Sequence, residues 1–237
     1  MAIAVKHRLI GRFQWTYFVE DLRPIFNVAG PAMLTNIATP IGNGFITRAI
    51  ADFGDTYVAS WAVIGRIIPV CFGMIFALSG AVGPIIGQNF GAMQFDRVRL
   101  CLTRALQFSM VYVVFVSLLL MLLSSHVSHW FGLSAEGTHM FTFFSHYIAI
   151  TFVFSGALFI ANASFNNLGK AKYSTFFNVG RATVGTIPFI YVGAKIGGVY
   201  GVLVGQALGM VIFSIVAVWW AYRLVDKVSK RYHCSKS

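Results

Sequence analysis

The sequence predicts an all-α integral membrane protein with six crossing helices, and three observations carry that expectation. Of its 237 residues 57% are hydrophobic and 11% charged, whereas a soluble domain carries roughly 25% charged residues. Apolar runs long enough to span a bilayer recur six times, at lengths that suit helices. The charged residues fall in the short gaps between those runs and at the two ends. Mean hydropathy is +0.74, and the net charge of +11 sets a pI near 9.9. So basic a chain suggests nucleic acid, but no basic face stands on a foldable soluble domain, and nucleic acid is excluded as a partner. Membrane lipid is the expected surrounding.

Residues 1–23 mix Lys6, Arg8, Arg12, Glu20, Asp21 and Arg23 with Leu9, Phe13, Trp15 and Tyr17. That pattern predicts an interfacial linker at headgroup level, or the remnant of a preceding helix. Residues 24–222 hold the six crossings, and 223–237 form a basic tail expected to be disordered and cytoplasmic.

The first crossing, residues 25–50, contains Pro31 and Pro40. Proline removes a backbone donor and clashes with the preceding turn, so a bend or loosening is expected. Thr35, Asn36, Thr39 and Asn43 follow helical spacing and share a face. Such a stripe either lines a cavity or hydrogen-bonds between helices.

The second crossing, residues 57–88, is over-long for an untilted span and carries Arg66 and Pro69 inside it. A charge within the bilayer is costly. Arg66 lies near enough to the segment's start to snorkel, so it is either functional or interfacial. The segment ends in SGAVGPIIGQNFGAMQFDR, where Gly83, Gly87 and Gly91 stand four apart. Such a stripe lets a neighbouring helix approach closely in lipid.

The third crossing, residues 102–123, is apolar on all sides and reads as lipid-facing. Residues 124–139 read as a polar connection, with His126, His129, Glu136 and His139; their spacing admits a metal, but interfacial residues are the better reading. The fourth crossing covers 141–163 and leads into Asn162, Asn166, Asn167, Lys170 and Lys172. The fifth covers 176–192, with Arg181 inside and Pro188 towards its end, and the sixth 199–221. Gly201, Gly205 and Gly209 form a second small-residue stripe, whose reading is packing alone.

Six crossings place both termini on one side. That side gathers the basic N-terminus, Arg97, Arg99, Arg104, Lys170, Lys172 and the tail, against Arg48 and Lys195 opposite. The positive-inside rule then sets both termini in the cytoplasm. Cys71, Cys101 and Cys234 form no disulfide framework or zinc motif. No phosphate-binding loop, nucleophile elbow or paired intramembrane carboxylate occurs, so neither an enzyme nor a nucleotide-driven pump is expected. Broken helices and polar residues at kinks suit a secondary transporter.

Three stretches then carry a resemblance: AGPAMLTNIATPI (29–41), GPIIGQNFGAMQFDR (83–97) and NNLGKAKYSTFFNVGR (166–181). In order and spacing they resemble the C-terminal six-helix half of a multidrug and toxic compound extrusion (MATE) transporter, a fold of twelve helices in two lobes around a central cavity. The resemblance implies export of xenobiotic or cationic amphipathic small molecules in exchange for protons or sodium ions. It implies an N-terminal lobe as partner, either the missing part of the same chain or a second subunit, and a plasma membrane location, the inner membrane of a bacterium. Some branches carry ion-binding carboxylates in this lobe. The first and fourth crossings here have none, so no cofactor is expected in this chain and the coupling ion is expected in the other lobe.

Within that frame Met33, Asn36, Thr39 and Asn43 are the expected substrate contacts, since a site for lipophilic cations wants apolar walls and a few orienting polar groups. Pro31, Pro40, Gly83, Pro84, Gly87, Gln88, Asn89, Gly91, Arg97 and Arg181 are expected to shape hinges and helix ends. A lipid-linked saccharide flippase of the same superfamily, or a truncated scaffold without transport, remain the alternatives.

Overall fold

A computed structural model describes residues 15–234; Met1 to Gln14 and Ser235 to Ser237 lie outside the described residues, as do several side chains between 15 and 36, those of Pro31 and Asn36 among them. The described chain is helical nearly throughout. Its elements are α1 (Trp15–Ala51), α2 (Asp55–Gly91), α3 (Phe95–Trp130), α4 (Ala135–Phe143), α5 (Phe152–Asn167), α6 (Ala171–Ala182) and α7 (Ile187–Cys234). Four stretches among the described residues are long and apolar enough to cross a membrane: Asp55–Gly91, Phe95–Trp130, Ala135–Asn167 and Ala171–Lys230. The last, of 60 residues, holds two passes, and α1, with 37 residues, is also long enough to cross.

Short turns reverse the chain. Phe53 and Gly54 donate to Ile50 and Ala51 between α1 and α2, and Met93, at φ 59°, carries the turn between α2 and α3. Gln88 and Asn89, expected to shape this hinge, supply carbonyls for it: Ala92 N–H donates to Gln88 at 3.0 Å and Gln94 N–H to Asn89 at 2.9 Å. Arg97 is exposed on the first turn of α3. The motif thus builds a tight corner closed by backbone hydrogen bonds.

Ala135–Asn167 is the most buried of the long stretches. Its α5 portion packs against α2, α3, α6 and α7, so it forms the axis of the bundle. Two apolar clusters fill the bundle around this axis: Phe72, Phe141, Phe144, Ile64 and Leu203 in one half, Ile86, Leu102, Phe165 and Ala221 in the other. Phe72 stacks on Phe152 with ring centroids 4.4 Å apart.

Several expectations change. The polar connection at 124–139 is mostly helix, with the turn confined to 131–134. Ser124 and Ser128 donate to the carbonyls of Met121 (2.9 Å) and Ser124 (2.8 Å), so their hydroxyls are satisfied inside the helix and the polar run does not break it. His126, His129, Glu136 and His139 are exposed, and among the described residues no metal-holding group of His, Cys, Asp and Glu converges. The fourth crossing is interrupted by a π-turn at Phe144–Ile148 and a 3-10 turn at Ala149–Thr151. No glycine or proline marks that site; the hydroxyls of Ser145 and Thr151 take up the carbonyls of Phe141 and Ile148 instead.

The fifth crossing is not continuous. It breaks at 183–186, and threonines satisfy the loosened backbone: Thr183 donates to Val179 at 2.7 Å and Thr186 to Arg181 at 2.8 Å. Pro188 explains the break, because the carbonyl of Val184 loses its helical donor there. Helix α1, by contrast, runs unbroken through Pro31 and Pro40.

The tail is helix as far as Cys234. Leu224 and Val225 are buried, Arg223 lies 3.9 Å over the Trp219 ring, and Asp226 accepts from Arg99 at 2.8 Å. Packing and charge pairing hold as helix what composition alone suggested was loose.

The glycine stripe 201–205–209 resolves into a hairpin. Gly197 (φ −128°, ψ 17°) and Gly198 (φ 58°, ψ −141°) fold α7 back on itself. Across the hairpin Gly201 faces Gly193, Gly205 faces Phe189, and Gly209 faces Gly185, all at backbone contact. Any Cβ on Gly201, Gly205 or Gly209 would overlap a backbone carbonyl opposite. Small residues thus let two passes touch, as packing in lipid requires.

Candidate functional site

Between α1, α2, α5 and α6 lies an open-mouthed cavity of about 430 Å³. Thr39 comes from α1; Ser79, Gly80, Gly83 and Pro84 from α2; Asn162, Asn166 and Asn167 from α5; Ser174 and Asn178 from α6. Helical spacing explains the convergence: Ser79 and Gly83, Asn162 and Asn166, and Ser174 and Asn178 are each four apart and face the same way on their helices.

Most of these groups are already held. Ser79 Oγ donates to the Phe159 carbonyl at 3.0 Å, tying α2 to α5. Asn167 Nδ2 donates to Ala163 at 2.8 Å, and Asn178 Nδ2 to Ser174 at 2.9 Å. Fixing the amide nitrogens this way orients the amide oxygens. Asn162 Oδ1 is buried with no partner, and so is Arg181 Nε. Arg181 also reaches Thr39 Oγ1 at 3.5 Å, so a cation closes the α1 edge of the cavity. Gly80 and Pro84 share the wall, and the Gly80 carbonyl lacks its helical donor because Pro84 has no N–H. The wall therefore offers amide and carbonyl acceptors, hydroxyls and one neighbouring guanidinium, with no carboxylate among its residues. It can hydrogen-bond the polar group of a bound molecule.

Gly83 and Gly87 serve this cavity. A Cβ at Gly83 would stand 2.8 Å from Asn167 Nδ2, and one at Gly87 3.2 Å from Asn167 Oδ1. The stripe expected to admit a helix backbone admits the Asn167 side chain. At Gly91 a Cβ would meet nothing within 4 Å.

Of the expected substrate contacts only Thr39 stands in this wall. Met33 and Asn43 are exposed on α1 and are not part of it, while the Asn36 side chain lies outside the described residues. Asn43 contributes its carbonyl, which accepts from Thr47 at 3.0 Å. Pro40 and Pro84 are exposed, the latter at the cavity mouth. Arg66 is exposed on α2. Sequence reasoning missed Asn162, Asn167, Ser174 and Asn178 as site residues. The signal was there, as polar pairs at four-residue spacing on two separate helices, Asn162 with Asn166 and Ser174 with Asn178.

The MatE family model matches residues 31–192. An uncharacterised 21 kDa protein of Pseudomonas savastanoi is 34% identical over 83% of this chain and 65% of its own length. The FAD transporter of Shewanella oneidensis is 23% identical, covering 95% of this chain and 50% of that protein. The multidrug export protein MepA of Staphylococcus haemolyticus is 22% identical, covering 88% and 47%. The crystal structure of the Vibrio cholerae MATE transporter VcmN in its bent form matches 98% of this chain with a TM-score of 0.83, at 23% identity and over 53% of that chain. The chain thus spans about half the length of the transporters it matches.

Proposed function

The chain belongs to the MatE family and is a multi-pass membrane protein, and from that premise we propose that it acts as the C-terminal lobe of a secondary transporter. In this reading the lobe works with an N-terminal lobe, in the same chain or as a second subunit, and exports amphipathic small molecules in exchange for protons or sodium ions. The open cavity supports it most directly: the buried Asn162 Oδ1 stands without a partner in a wall of amides and hydroxyls, with the unpartnered Arg181 Nε near its α1 edge. Buried polar groups are nearly always satisfied, so unpartnered ones facing a cavity suit a transient ligand. MepA and the FAD transporter, by their descriptions, show the range of cargo among relatives. In this reading the coupling ion is held by the other lobe, and the cavity wall as described, without a carboxylate, is compatible with that.

A second reading differs in cargo. Arg181 at the cavity edge, with no acid to balance it, favours a neutral or anionic amphipath over a lipophilic cation. The reading places the protein in the plasma membrane of a bacterium, and the basic residues grouped at one end of the bundle support that end as the cytoplasmic one.

Membrane vesicles from cells that carry the protein, and from a deletion strain, test both readings. Under an imposed proton or sodium gradient, a cationic dye and an anionic dye are each followed by fluorescence. Gradient-dependent movement of either dye, lost in the deletion strain, supports transport, and the dye that moves identifies the cargo charge. Identical traces in both strains would sink the proposal.

A further inference from the structure

A second groove, of about 780 Å³, opens where the final turns of α7 meet the start of α6, with lining residues distinct from those of the amide cavity. Its polar wall carries Lys170, Arg223, Lys227 and Lys230, with Asp226 as the acid among them. Asp226 is already paired with Arg99 at 2.8 Å, which leaves the groove strongly cationic. Its aromatic wall is Tyr173 and Trp220, edge to face at 5.7 Å. Lys170 follows a turn closed by Gly169 at φ 71°, and its own N–H donates to Phe165 at 2.8 Å, so its backbone is fixed.

The position of the groove decides what it fits. It lies at the end of the bundle where the turns after α2 and α5 and the end of α7 come together, the end where Arg99, Lys170, Arg223, Lys227 and Lys230 stand. Tyr and Trp concentrate at the level of lipid headgroups, their rings in the apolar layer and their polar tips in the wet one. From the aromatic pair towards the bundle's middle, α6 and the second arm of α7 run side by side, with Gly180 against Phe213. Both present apolar surface there: Phe176 is 66% exposed, Val216 43% and Ile212 45%. A cationic cleft above a strip of exposed apolar side chains matches a molecule with a phosphate head and acyl chains.

We infer that this groove is a binding site for an anionic phospholipid, whose phosphate is held by Lys170, Lys227 and Lys230 and whose chains lie along Phe176, Ile212 and Val216. Basic pockets at helix ends recognise anionic headgroups by charge and by hydrogen bonds to phosphate oxygens. Arg223 is engaged with the Trp219 ring and holds the rim in place. The inference does not rest on transport.

The test uses the full chain purified in a neutral detergent, with phosphatidylglycerol, phosphatidylcholine or inorganic phosphate added. Native mass spectrometry counts bound lipid and thermal melting reads stabilisation. Phosphatidylglycerol is expected to bind and raise the melting temperature, and phosphatidylcholine to do neither. The Lys227→Gln/Lys230→Gln double variant should weaken phosphatidylglycerol binding about tenfold or more, from the roughly 1 kcal/mol each basic residue gives at an anionic surface. Lys195→Gln, at the other end of the bundle, should leave it unchanged. Lys170→Gln should give a smaller loss, about fivefold by the same figure, and reads the groove independently if the double variant does not melt like the parent in phosphatidylcholine. Equal binding by the parent and the groove variants would overturn the inference. So would an equal loss in Lys195→Gln, or stabilisation by inorganic phosphate equal to that by the lipid.

Discussion

The amide of Asn167 occupies the space that Gly83 leaves: a Cβ on Gly83 would stand 2.8 Å from Asn167 Nδ2. That nitrogen is also committed to the Ala163 carbonyl at 2.8 Å, so the amide cannot swing aside without losing a hydrogen bond. A glycine on α2 and an asparagine on α5 thus set the width of the amide cavity between them.

Gly83→Ala should therefore destabilise the protein by about 1–3 kcal/mol, as inserted methyls do in a well-packed core. Gly87→Ala, with a gap of 3.2 Å to Asn167 Oδ1, should cost less. Gly91→Ala, which meets nothing within 4 Å, should melt like the parent. Thermal melting of the three variants checks the order, and equal melting would show that Asn167 does not set it.

At the α7 hairpin the expected effect is larger. Gly209→Ala drives a methyl into the Gly185 carbonyl, a backbone atom that cannot rotate away. A loss above about 3 kcal/mol is expected, enough to remove folded protein from the membrane. Gly44→Ala, in open space on α1, is the matched control. Yield and melting in detergent read both.

Asn162 offers a separation of stability from function. Its Oδ1 makes no bond within the protein, so Asn162→Ala removes no intramolecular hydrogen bond accepted by that oxygen. Melting is expected to change by less than about 1 kcal/mol equivalent, from the lost side-chain volume. Gradient-driven dye movement in vesicles should fall or change its dye preference. Normal melting with normal transport would take Asn162 off the list of cargo contacts.

The ion pair between Arg99 and Asp226 joins α3 to the end of α7, with side chains 56% and 46% exposed. Exposed pairs contribute about 0–1 kcal/mol and are screened by salt. A double-mutant cycle with Arg99→Ala and Asp226→Ala should give a coupling in that range at low salt and less at high salt. A coupling well above it would mean that the pair is shielded from water.

Much of the fold could be read along the chain because lipid imposes a strict rule. Long apolar runs must be helices that satisfy their own backbone, and charges must leave the bilayer. The crossings at 57–88 and 102–123 and the turn after Gly91 follow from that rule. The hairpin glycines were legible as packing because a four-residue stripe has few other uses in a membrane. Residues 124–139 misled for the opposite reason. Serine counts as polar in a sequence, yet it can return its hydroxyl to its own helix and stay buried, as Ser124 and Ser128 do.

The site was less legible. Thr39, which lines the cavity, belongs to a polar stripe legible on one helix, but Asn162, Asn167, Ser174 and Asn178 look ordinary singly, each a polar residue near a helix end. They become a cavity because α2, α5 and α6 turn those faces towards one another, and pairwise spacing within a helix carries no information about which neighbour it meets. Met33 and Asn43 show the converse, sharing the helix but not the cavity.

By itself, then, the sequence determined a basic helical membrane chain with small-residue stripes and a resemblance to MATE transporters, because hydropathy and spacing act locally. Tertiary structure alone decided which polar residues face one another, where the fifth pass breaks, and that the tail is a packed helix. Those outcomes depend on contacts between residues far apart in sequence, such as Asn167 with Gly83 and Asp226 with Arg99, and no local rule encodes such a pairing.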